Sequence, residues 1–89
     1  MEQLLIMLKI DLGITTPAYD TRLAQYIRSA QAAMTREGIN VDVTAPEDSQ
    51  MVVMYAAWMW RRRDSMEGMP RMLRYQLNNR LFAQKAGEA

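Results

Sequence analysis

Side chains equipped for chemistry are few in this chain, and one kind dominates. The 89 residues include no cysteine and no histidine, which removes thiol nucleophiles, Cys/His metal sites and the usual general base at neutral pH. What remains is arginine. Arg61, Arg62 and Arg63 are consecutive, and Arg71, Arg74 and Arg80 follow closely in sequence. Guanidinium groups contact phosphate readily, and a helix restarting after a short turn suggests the helix-turn-helix geometry of a small DNA-binding regulator. The plainer reading is that Arg61 to Arg63 sit at the negative pole of a helix dipole and solvate the end of an apolar rod. The adjacent Asp64 and Glu67, and a net charge of only +1, favour that reading. Glu37, Asp42, Glu47 and Asp48 match no calcium-loop spacing. With neither a nucleophile–base pair nor a metal-ligand cluster, the sequence predicts a non-enzymatic protein without metal or cofactor.

The elements that would position the arginines are organised around Met51 to Trp60, MVVMYAAWMW, ten residues without a charge. An amphipathic surface helix shows a polar residue on every turn, so an element apolar all round must be enclosed on most sides. At roughly 15 Å the run is half the thickness of a bilayer core, and the enclosing medium is protein. The N-terminal MEQLLIMLKIDLG carries Glu2 and lacks the basic flank and cleavage site of a signal peptide. A soluble, intracellular protein with no membrane partner is expected.

Four helices account for the pattern. Leu4, Leu8, Ile6 and Ile10 recur at helical spacing over about residues 2–12, and Gly13 stops that helix. Thr16 caps and Pro17 opens a second helix over 17–37, with the apolar stripe Tyr19, Leu23, Ile27, Ala30 and Met34 and a stop at Gly38. Thr44 and Glu47 form the T-x-x-E capping box of a third helix over 46–64. Pro70 begins a fourth over 70–84, striped by Met69, Leu73, Leu77 and Leu81, and residues 85–89 are expected to fray. Ile39, Asn40, Val41, Asp42 and Val43 alternate like a strand but lack a partner, so they read as an extended loop that either covers the core or lends an edge to another chain. The predicted class is all-α: one small four-helix domain with a central, buried third helix.

Trp58 and Trp60 point about 200° apart on that helix. A core of this size is expected to seal only one of them, which leaves an indole for a neighbouring molecule. Aromatic residues, methionine and arginine are the types enriched at interface cores.

The helix order, with the phrases AAWMWRRRD and PRMLRYQLNNRLF, resembles the head-tail connector (adaptor) proteins of long-tailed phages and prophages. The resemblance covers nearly the whole chain. It implies a structural subunit of a homo-oligomeric ring of roughly a dozen copies, closed by a heterologous interface, at the head-tail junction of the virion and in the host cytoplasm during assembly. Its partners would be the portal protein on one side and stopper or tail-completion proteins on the other. Double-stranded DNA would pass through the lumen without sequence-specific binding. On this reading Arg80, Leu81, Phe82 and Lys85 dock on the portal, and Ile39 to Val43 face the next ring of the neck. Arg28, Trp60 and Arg62 are the candidates for contact between subunits. Truncation after Leu77 is expected to leave a folded domain that no longer joins the portal.

Overall fold

The computed structural model describes residues 2–88, of which residue 88 contributes backbone only. Four helices follow one another: α1 (Glu2–Leu12), α2 (Asp20–Arg36), α3 (Pro46–Arg62) and α4 (Arg71–Glu88), with a single 3-10 turn at Pro17–Tyr19 ahead of α2. There is no strand among the described residues, and none of their helices is long and apolar enough to cross a membrane. The fold is all-α, as the periodicity predicts.

Both glycine stops form as expected. Gly13 (φ 71°) and Gly38 (φ 101°) adopt left-handed backbone that a side chain would strain. After each, two backward hydrogen bonds close the helix: Gly13 N to Ile10 O and Ile14 N to Lys9 O at 3.2 and 2.9 Å, then Gly38 N to Thr35 O and Ile39 N to Met34 O at 2.9 and 3.1 Å. Thr16 Oγ1 accepts from Ala18 N at 3.2 Å. The cap therefore serves the 3-10 turn, and α2 proper begins three residues after Pro17.

One expected cap and two expected boundaries are corrected. The capping box does not form, because Asp42 already holds Thr44: its Oδ1 accepts from Thr44 N at 3.0 Å and from Thr44 Oγ1 at 2.5 Å. Helix α3 still starts at Pro46, as expected, with Ala45 as its N-cap residue and no side-chain cap. At the other end α3 stops at Arg62, where Arg63 N and Ser65 N bond back three residues to tighten the last turn. The third correction concerns the C-terminus, where residues 85–88 continue α4 rather than fraying. Gln84, one turn earlier, is anchored to the loop after α2, and alanine and lysine propagate helix well beyond that anchor. Residue 89 lies outside the described residues.

Helix α3 is central and touches each of the other three. Met51, Val52, Val53, Tyr55, Ala56 and Ala57 are buried along its middle turns, while Trp58, Met59 and Trp60 are half-buried toward its end. The predicted stripe of α2 supplies Leu23, Ile27, Ala30 and Met34 to the same core, with Ala33 beside them; Tyr19 stays exposed. Leu4 and Leu8 of α1, and Leu73 and Leu77 of α4, complete it. Ile39 is fully buried, so the extended segment does cover one end of the core. The molecule is elongated, 46 × 29 × 18 Å.

Candidate functional site

Three surfaces carry the residues singled out above. The first is a polar clasp between α3, α4 and the loop. Asp48 is 1% exposed and is the one buried charged side chain among the described residues. A buried charge demands a partner, and Arg80 reaches across from α4 to supply it: Nε donates to Oδ1 at 2.7 Å and Nη2 to Oδ2 at 3.1 Å. The bidentate fork leaves donors to spare. Arg80 Nη2 also donates to Asn40 O at 2.9 Å, and Asp42 N donates to Asp48 Oδ2 at 2.8 Å. One turn on, Gln84 accepts from Asn40 N at 2.7 Å and donates to Gly38 O at 2.8 Å. The backbone of Gly38, Asn40 and Asp42 is thus held by side chains where a sheet would supply a strand. The Asp48 carboxylate raises the Arg80 pKa above its ordinary value, the attraction outweighing desolvation. Asp42, exposed beside Thr44, is pushed the other way: the hydrogen bonds from the Thr44 hydroxyl and amide lower its pKa below the ordinary 3.8.

The second surface is the arginine end of α3. Arg62 lies over the Trp58 ring with 4.5 Å from guanidinium carbon to ring centre, and Arg63 lies over Trp60 at 3.6 Å. These are neighbours one helical turn apart. Neither indole is sealed by the core, both being half-buried, and each is overlain by an arginine three or four residues further along the chain. Trp60 is further enclosed by Tyr19 and Tyr26, edge-on at 5.3 and 6.2 Å, and Trp58 by Tyr55 at 5.7 Å. Arg63 Nη1 also donates to Trp60 O, the end-capping role expected of this run. Arg61, Arg62 and Arg28 remain exposed. Arg62 and Arg63 rim an open hollow with Tyr26, Ser29 and Met59, continuous through Tyr26 and Ser29 with one bounded by Arg22 and Arg28.

The third surface is the outer side of α4. Met72, Tyr75 and Phe82 are 62, 64 and 76% exposed. Their spacing, with Asn79 between, traces one stripe on the side of the helix opposite Leu73 and Leu77. The helix is apolar on two faces, and only one has a partner within the chain.

Among the expected portal-docking residues, then, Phe82 and Lys85 are exposed, Leu81 is half-buried near Gly38, and Arg80 is engaged by Asp48 and Asn40. Within the loop Asn40, Asp42 and Val43 are exposed, Val41 is half-buried and Ile39 is internal. The spacing already sets Met72 and the Tyr75/Phe82 pair on faces flanking Leu73 and Leu77, but only Phe82 of the three stands among the expected docking residues. Sequence reasoning missed the clasp, whose members lie 32 to 46 residues apart in the chain and leave no local pattern. No metal-binding group of three or more acidic side chains is assembled among the described residues. No protein family, curated protein or solved structure matches the chain.

Proposed function

We propose that this chain is a structural assembly subunit of the head-tail connector type: a ring-forming adaptor that docks on the portal, surrounds the DNA channel and presents its other side to the stopper or tail-completion proteins of the virion neck. The observation that carries the reading is the outward apolar stripe Met72, Tyr75 and Phe82, on a helix whose opposite face is already buried. A lone exposed apolar residue is ordinary, but three aligned on one helix face mark an interaction site. An amphipathic helix laid into a groove is a common docking mode, and α4 offers that face over about 15 Å from Met72 to Phe82. The sequence resemblance names the groove's owner as the portal. The loop Ile39 to Val43, held rigid by the clasp, is the surface for the next ring, and Arg28, Trp60 and Arg62 belong to the contact between subunits. A DNA-binding regulator built on Arg61 to Arg63 has less support, because the net charge is only +1 and Asp64 and Glu67 stand beside the cluster.

The test is light scattering and co-sedimentation of the chain with portal rings. Wild-type protein is expected to join the portal, and the double variant Tyr75→Ser/Phe82→Ser to remain folded and lose at least about tenfold in affinity, as central aromatic anchors do. Unchanged portal binding by the double variant would overturn the reading. Truncation after Leu77 is not a clean test, since it also removes Arg80 and leaves Asp48 buried without its partner.

A further inference from the structure

The two ends of α3 carry opposite charge, and each end has a shape that suits the other. At its start three carboxylates, Asp42, Glu47 and Asp48, act on the single guanidinium of Arg80. Asp48 is neutralised by that pair, which leaves the exposed Asp42 and Glu47 as net negative charge on this edge. Beside them is an open hollow of about 360 Å³ lined by Met51, Glu47, Gln50, Gln76, Asn79 and Arg80, the last with its charge already met by Asp48. An apolar surface bordered by amide oxygens and a carboxylate fits a guanidinium on a long aliphatic stem.

At the other end of α3 that group is present. Arg62 has no carboxylate within ion-pairing distance among the described residues, is exposed, and lies over the Trp58 ring. Stacking fixes the planar fork in advance, so little freedom is lost when it meets a carboxylate. Arg22 and Arg28 extend the positive surface along α2. The 17 residues of α3 hold the two ends about 25 Å apart, so one molecule cannot join its own ends.

We propose that the arginine end of one copy, led by Arg62 and flanked by Arg28, docks on the acidic hollow at Glu47 of the next copy. The contact is heterologous, head to tail, and repeats around a closed ring. The inference rests on the ring reading above and names the two faces that close the ring.

Sedimentation velocity of the full chain tests the pairing. Arg62→Glu sets two carboxylates against each other where position 62 of one copy meets Glu47 of the next, and Glu47→Lys sets two cations against each other there. Each variant alone is expected to need on the order of tenfold more protein to assemble, since like charges across an interface repel. An equimolar mixture is expected to assemble as the wild type does, because alternating copies restore opposite charge at every contact. Arg28→Glu serves as a second variant that leaves the Arg62–Trp58 stack intact, and circular dichroism checks that all variants are folded. Wild-type assembly should also weaken as salt is raised from about 50 to about 500 mM. The pairing is overturned, with the ring reading left standing, if the variants assemble like wild type or if two deficient variants fail to rescue each other. It is overturned in favour of a nucleic-acid surface if Arg62→Glu assembles normally but loses a duplex DNA mobility shift. A wild type that stays monomeric at every concentration, with and without portal, overturns both readings.

Discussion

Helices α2 and α3 meet almost wholly through apolar side chains, whereas α4 is held to the rest of the domain by a short row of leucines and a set of directed polar bonds. In the first region Leu23, Ile27, Met34, Val52 and Val53 are fully buried. In the second, Leu73 and Leu77 supply the fully buried apolar side chains of α4, with Leu81 half-buried beside them, and the polar attachment is Arg74 with Glu37 at the end of α2 and Arg80 with Asp48 of α3, each at 2.7 Å, and Gln84 on the loop. The difference separates stability from register. Apolar burial is non-directional and sets how firmly the domain holds together, while hydrogen bonds and ion pairs specify geometry. A helix fixed mainly by polar bonds along one edge keeps a defined position against the loop and still leaves its outer face free for another protein.

The largest effect should come from breaking the apolar region. Leu23→Ala removes a fully buried side chain beneath the central helix and is expected to cost about 3 to 4 kcal/mol, the middle of the range for large-to-small core changes. Thermal or urea unfolding monitored by far-ultraviolet circular dichroism would read it, and the whole domain should lose stability together. A loss confined to α4 would show that the two regions are not built as described.

Breaking the clasp should do less to the domain and more to the loop. Arg80→Ala leaves the Asp48 carboxylate buried without its guanidinium, for a loss of about 3 kcal/mol. Its distinguishing mark is local: the amides of Asn40 and Asp42 should lose protection in hydrogen exchange, while those of α2 keep their order relative to one another. Replacing both partners by apolar residues, Asp48→Leu with Arg80→Met, should recover much of the stability without the loop's protection. If the double replacement protects the loop as wild type does, apolar burial rather than the clasp holds it.

The two regions were also unequally legible in the sequence. The apolar stripes of α2 and α3 repeat every three to four residues, so Leu23, Ile27, Met34 and the enclosed run after Gln50 declare their side of the helix locally. Gly13 and Gly38 declare the helix stops for the same reason. The clasp has no such signal. Asp48 reads as one of several acids near a helix start, Arg80 as one of several cations, and Gln84 as part of a polar tail. Each acquires a role only when the chain brings α3, α4 and the loop together. The misplaced α3 cap has the same origin: T-x-x-E was present, but Asp42 two residues earlier competes for the same threonine hydroxyl. The tryptophans show the reverse case, since Trp58 with Arg62 and Trp60 with Arg63 are local pairs whose covering of the indoles was available from spacing alone.

The smallest effect concerns that competing turn, where the polar region can be loosened by pH. The Thr44 hydroxyl first, then its amide, and the field of Arg80 hold the Asp42 pKa below 3.8, against a small opposing effect of desolvation. A carboxyl whose folded pKa is depressed stabilises the fold at pH above its unfolded value and loses that contribution as pH falls through the folded one. The stabilising share of Asp42 is therefore complete at neutral pH and disappears in a window below 3.8. Thr44→Ala deletes the leading cause while leaving the amide, so the Asp42 pKa should rise toward 3.8 but stay below it, as carbon-detected carboxyl titration would show. The variant should melt slightly below wild type at neutral pH, and the gap should narrow as pH falls below 3.8 and Asp42 takes up its proton in both proteins. A gap that persists undiminished at low pH would mean that Thr44 stabilises the start of α3 directly, as the capping box would have had it, and not through Asp42.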